Sequence, residues 1–167
     1  MSQESLNLRL AGLPAGQTTY HGELEFVALD AAEEEEPYAV VVTSAVHHLG
    51  ARIHVRGTVS GHATSTCHRC LKRFARPVAA QFELTLERGT AGDGEELVGV
   101  PENAPEYDIA PHVREAVLLE EPLRTLCADD CKGLCPQCGA DLNSGPCGCG
   151  RPADPRWAPL DGLREQF

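Results

Sequence analysis

The chain has 167 residues, 42% of them hydrophobic and 5% aromatic, a size that suits one domain or one small domain with an appended module. Its 25 acids against 14 bases give a net charge of -11, which excludes a uniformly cationic nucleic-acid coat. No run approaches the ~18 apolar residues of a membrane helix, and Met1-Ser2-Gln3-Glu4 lacks the basic start and apolar run of a secretory signal, so a reducing cytoplasm is the expected compartment.

Residues 1–90 read as an antiparallel β-domain. Leu6–Leu10, Leu24–Leu29 and Tyr38–Val46 carry β-branched, aromatic or alternating apolar residues. The clearest alternation is Arg52–Ser60, with Ile53, Val55 and Val59 on a core face and Arg52, His54 and Arg56 toward water. Gln81–Glu87 alternates equally well. Five or six short strands predict an antiparallel sheet, curled or a partly closed barrel. The acid run Glu33–Glu36 reads as a solvated loop. Residues 91–107 mix acids, Gly and Pro and read as a flexible acidic linker. Residues 108–122 predict one amphipathic helix: Asp108 caps it, Pro111 falls in its first turn, and Pro122 stops the pattern. The fold class expected is α+β, ending in a Cys-rich zinc module and tail over 123–167.

The cysteines dominate the chemistry. They fall as Cys67-x-x-Cys70, then Cys127, Cys131, Cys135 and Cys138, then Cys147-x-Cys149. Residues 127–150 hold six Cys and five Gly and almost nothing apolar, so a cross-link or a metal must order them. Eight thiols without an export signal read as ligands rather than disulfides. A Cys-x-x-Cys turn brings two thiolates to one ion from the same side, and two such pairs complete a tetrahedral zinc site. The preferred division puts Cys135, Cys138, Cys147 and Cys149 on one structural zinc and Cys67, Cys70, Cys127 and Cys131 on a second. The competing division exchanges the pairs. A redox dithiol at Cys67–Cys70, an iron–sulfur cluster and a catalytic zinc are weaker readings. Pro77 leaves little room for the helix a redox motif needs, and an all-Cys inventory argues for closed sites. No Ser/His/Asp order, carboxylate pair or phosphate loop stands out, so no enzyme and no small-molecule substrate is expected.

Charge is uneven. Between Pro37 and Gln81 there is no acid, and Arg52, Arg56, Arg69, Lys72, Arg73 and Arg76 give that stretch +6. These six are the candidate RNA-binding residues. The opposing reading is that Arg69, Lys72 and Arg73 neutralise a thiolate–zinc centre of charge about -2. Phe74 is either a stacking ring for a base or a core residue.

Cys67-His68-Arg69-Cys70-Leu71, the run Leu126–Asn143 with its Lys132-Gly133-Leu134 and Asp141-Leu142-Asn143, then Cys147-Gly148-Cys149 and Asp154-Pro155-Arg156 together resemble the signatures of the YceD family. That family comprises the large ribosomal RNA subunit accumulation proteins. Asp141 stands where the family usually has Asn. The resemblance implies a cytoplasmic, non-enzymatic factor supporting synthesis, processing or accumulation of 23S ribosomal RNA. Its expected partners are that RNA, its precursors or a ribosome-assembly protein, with no membrane. An acidic adaptor for a ribosomal protein or ribonuclease is the alternative, and a thiol oxidoreductase the lesser one.

Overall fold

The computed structural model describes residues 5–27, 38–90 and 97–150. The acid run Glu33–Glu36 and the tail from Arg151, including Asp154–Trp157, lie outside the described residues.

The elements, in chain order, are β1 (Asn7–Arg9), β2 (Gly16–Phe26), β3 (Tyr38–Leu49), β4 (Arg52–Thr66), β5 (Arg73–Arg88), β6 (Val98–Val100), β7 (Glu106–Asp108) and α1 (Ala110–Leu119). β2 through β5 form an antiparallel meander, and β6 joins β5 in parallel. β1 and β7 make a separate antiparallel ribbon. The five-stranded sheet stays open, with β2 and β6 as its edges. The expected sheet is present, without closure into a barrel and with one parallel pair added.

Alternation decides which face is buried. Val40, Val42 and Val46 of β3, Ile53, Val55 and Val59 of β4, and Phe82, Leu84 and Leu86 of β5 point to one side and are buried. β1 supplies Leu8, and α1 supplies Val113 and Val117, as the cover over that side. Burial of these hydrophobic side chains is the main favourable term for the β-domain.

β4 and β5 are much longer than their alternating runs suggested, at 15 and 16 residues. Their distal halves, Gly61–Thr66 and Arg73–Pro77, carry few large apolar side chains for an alternating pattern to show, although Ala63 is still buried in the core. They pair with each other out to Thr66↔Arg73 and carry Cys67 and Cys70 at the hairpin end.

Part of the stretch expected as linker is ordered. Val98–Val100 and Glu106–Asp108 form β6 and β7, because a sheet edge and a partner strand outside the stretch itself supply their hydrogen bonds. Asp108 works one position earlier than expected. Ile109 occupies the N-cap, while Asp108 Oδ1 accepts from the N–H of Ala110 at 2.9 Å and of Leu6 at 2.8 Å. One carboxylate thus ties the start of α1 to the N-terminal strand. Asp108→Ala is expected to lower stability by about 1–3 kcal/mol, since two N–H groups lose their acceptor. A urea unfolding midpoint shift without a change in slope measures it.

Candidate metal centres

The hairpin end and the segment after α1 converge on one point. Cys67 and Cys70 lie in the β4–β5 turn, and Cys127 and Cys131 come across to meet them. The Cys67–Cys131 sulfurs are 3.8 Å apart and the Cys70–Cys127 sulfurs 3.6 Å apart. All four lie within 4.8 Å of one another. Cys135, Cys138, Cys147 and Cys149 form a second such group. The structure therefore chooses the preferred division of the thiols over the exchanged one.

The spacing itself is informative. A tetrahedral ion with sulfur at about 2.3 Å places its ligands about 3.8 Å apart. The observed separations match that edge. They are far beyond a disulfide bond. A multi-iron cluster would spread its thiolates wider, because iron and sulfide atoms stand between them. The donor set and spacing fit one divalent soft-ligand ion per group.

Both Cys-x-x-Cys turns share one backbone pattern. Leu71 N–H donates to the Cys67 carbonyl and Gly139 N–H to the Cys135 carbonyl, each at 2.9 Å. Cys67 N–H donates to the Lys72 carbonyl and Cys135 N–H to the Ala140 carbonyl, at 2.9 and 2.8 Å. The residue after the second Cys turns left-handed in both, with φ of 58° at Leu71 and 71° at Gly139. Glycine suits that position; Leu71 adopts it with its side chain exposed. The two turns are one device used twice.

Electrostatics separates the thiols. Burial raises Cys67, but the N–H groups of Cys127, Cys70 and Arg69 outweigh it and bring its pKa down to about 6. The N–H groups of Cys138 and Gln137 bring Cys135 down to about 6 as well. Cys127 is pushed up to about 12, chiefly by its contact with Cys70 and then by burial. Cys149 is pushed up to about 12 by Cys138 and by burial. In each group one sulfur ionises readily and another resists, because negative sulfurs crowd together. A bound cation removes that conflict.

Groups around the first cluster hold its shape. Arg69 Nη1 donates to the carbonyls of Cys131 at 2.7 Å and Asp129 at 3.2 Å. Arg69 thus acts here as a brace across the clasp. Leu134 N–H reaches the Arg69 carbonyl at 3.1 Å. Gly133, at φ 77°, lies so close that an added Cβ would stand 2.9 Å from that carbonyl. Phe74, Leu126 and Leu134 pack on the cluster. His68 is exposed and contributes its backbone N–H, bonded to the Thr125 carbonyl.

Reading residues alone missed Asn143. Its Nδ2 donates to Cys131 Sγ at 3.6 Å, and its Oδ1 accepts from Lys132 N–H at 2.8 Å. Asp141 Oδ1 holds Asn143 in place at 2.7 Å. The Asp141-Leu142-Asn143 run therefore orients the first cluster from within the second module. Its position in the cysteine string was the one available signal.

The remaining basic candidates are divided by the fold. Arg52 pairs with Glu87 and Arg56 with Glu83, both at 2.9 Å, on the open face of the sheet. Arg73 shares that face by register, opposite Thr66. Arg76 sits on the other face, where it bonds Glu121 at 2.9 Å and Ser65 at 3.3 Å. Lys72 is exposed at the hairpin end. The acid-free stretch is thus interleaved in space with carboxylates from β2 and β5, including Glu23 and Glu25.

Among the described residues no helix is long and apolar enough to cross a membrane. The family model described as large ribosomal RNA subunit accumulation protein YceD matches residues 55–164, a span holding both thiol groups. The large ribosomal RNA subunit accumulation protein YCED homolog 1, chloroplastic, of Arabidopsis thaliana is 43% identical over 76 residues, 45% of this chain and 24% of that protein. An uncharacterized protein of Mycobacterium tuberculosis is 35% identical over 118 residues, 64% of this chain and 53% of that protein. The Zea mays homolog of the chloroplastic protein is 27% identical over 146 residues, 70% of this chain and 50% of that protein. The chain spans about half or less of the length of these relatives. No solved structure matches it. With the cysteine motifs now placed on two four-sulfur centres, and a family model covering most of the chain, the protein belongs to the YceD family of large ribosomal RNA subunit accumulation proteins.

Proposed function

We propose that the protein is a non-enzymatic, cytoplasmic factor supporting synthesis, processing or accumulation of 23S ribosomal RNA, shaped by two structural zinc ions. Membership of the family carries this reading. The chemistry agrees with it, since all eight thiols fall in two four-sulfur groups, with no open coordination position required for catalysis. Zinc is the ion favoured by four thiolates at tetrahedral spacing in a reducing compartment.

Direct contact with RNA would use the open sheet face and hairpin end, through Arg52, Arg56, Lys72 and Arg73. Arg69 and Arg76 are committed to structural bonds. The triple variant Arg52→Glu, Arg56→Glu, Arg73→Glu is expected to weaken binding to a large-subunit RNA transcript by more than tenfold. It should also flatten the salt dependence by roughly one unit for each phosphate no longer neutralised. Unchanged affinity in a filter-binding titration would remove the sheet face from the RNA reading.

A second reading has its own support. Carboxylates already engage Arg52, Arg56 and Arg76, and the whole chain is strongly acidic. An adaptor that docks a basic ribosome-assembly protein suits that charge. Pull-down before and after ribonuclease separates the two, because an adaptor keeps its partner when the RNA is gone.

A further inference from the structure

Among the described residues the sheet ends in a bare edge beside the helix. β6 pairs with β5 only at Leu86–Arg88. From Val78 to Thr85 the outer edge of β5 has no strand partner among the described residues. Pro77, lacking an N–H, marks the other end of this free segment.

Between that edge and α1 lies a groove of about 530 Å³. Phe82 and Val98 line it, and Leu119 stands in it 79% exposed. Its charged lining is Glu83, Glu115 and Glu120, with no Lys or Arg among the described residues. Glu83 is bound to Arg56. Glu115 and Glu120 make no ion pair among the described residues.

An unpaired edge offers a row of N–H and C=O groups, and proteins usually blunt such edges. Here the edge is left beside apolar surface and unneutralised carboxylates. We propose that the groove takes an extended lysine- or arginine-rich segment of a protein partner, added as a new strand on β5. Its main chain pairs with the edge between Val78 and Thr85. Alternate side chains fall on Phe82, Val98 and Leu119, and the basic ones between them reach Glu115 and Glu120. A nucleic acid has no amide ladder to offer the edge, and its phosphates would meet carboxylates. The inference rests on the adaptor reading and says where that docking occurs.

The test uses the full chain with its metal bound and isotopically labelled. Two capped eight-residue peptides of alternating Lys and Val are titrated, one of them N-methylated at every residue so that neither of its edges can donate. The plain peptide is expected to move the amide signals of Val78–Thr85 and α1. N-methylation should weaken it about tenfold or more, because strand pairing is lost while charge is kept. The double variant Glu115→Lys, Glu120→Lys should weaken it comparably, with the rest of the spectrum unmoved, since both positions are exposed, Glu115 on the helix and Glu120 at its C-cap. Equal affinity for the two peptides, full binding by the double variant, or shifts confined to another surface would each overturn the groove. Ribonuclease-resistant capture of a partner that survives the double variant overturns the groove alone and leaves the adaptor reading standing.

Discussion

Stripping metal from the protein is expected to unmake residues 127–150 while leaving the β-domain folded. The reason is where each part draws its stability. The hydrophobic cluster of β1–β6 and α1 contains no cysteine, so it keeps its burial when the ions leave. The segment from Leu126 to Gly150 has little besides Leu126, Leu134 and its sulfurs to pack. A structural zinc contributes on the order of 10–16 kcal/mol in isolated fingers, against about 5–15 kcal/mol for a whole domain. Elemental analysis should find two ions per chain. After chelation, amide exchange protection should fall over residues 125–150 and at the Thr66–Arg73 hairpin end, yet persist at Val55 and Leu84. Acidification acts in the same direction, because protons compete with the ion for every sulfur and affinity drops as pH falls. Cys138→Ser should leave one ion per chain, since its group shares no sulfur with the first. A metal-free chain whose C-terminal amides stay protected would refute this account.

The second large effect is expected inside the sheet. A Cβ placed on Gly61 of β4 collides with the backbone carbonyl of Ala39 and comes within 2.8 Å of the Val40 Cα. Backbone cannot rotate aside as a side chain can, so β3 and β4 would have to separate locally. Gly61→Val is expected to cost about 3 kcal/mol or more, or to abolish soluble expression. Gly148→Ala is the matched control. Nothing lies within 4 Å of a Cβ there and its φ is not left-handed, so a change of about 0.5 kcal/mol or less is expected even between two cysteines. Thermal unfolding of both variants checks the pair. Near-equal midpoints would mean that β3 and β4 do not approach as closely at Gly61 as described.

The β-domain was legible where side chains alternate across a single buried face. Ile53, Val55 and Val59 sit in the core as their spacing required. The same logic shortened β4 and β5, because Gly61–Thr66 and Arg73–Pro77 offer mostly small or polar side chains, with Ala63 alone among them in the main core. β6 and β7 gave no signal, since three-residue strands exist only by virtue of their neighbours. The basic stretch shows a different limit of reading along the chain. It is contiguous in sequence, but strand pairing sets Glu83 and Glu87 against Arg56 and Arg52 and turns Arg76 to the opposite face.

What the sequence by itself determined is the chemistry of the cysteines and their likeness to one family, because ligand identity and spacing are local properties. It also determined the buried face of the sheet, which follows from a period of two. Only the tertiary structure decided which pairs of thiols share a centre, since Cys67 and Cys131 are brought together by the length of the β4–β5 hairpin. It alone assigned Arg69 to a brace and Asn143 to a sulfur, and left the β5 edge without a partner among the described residues beside Glu115 and Glu120. Those outcomes depend on where separate segments meet in space, and no local pattern of residues carries that information.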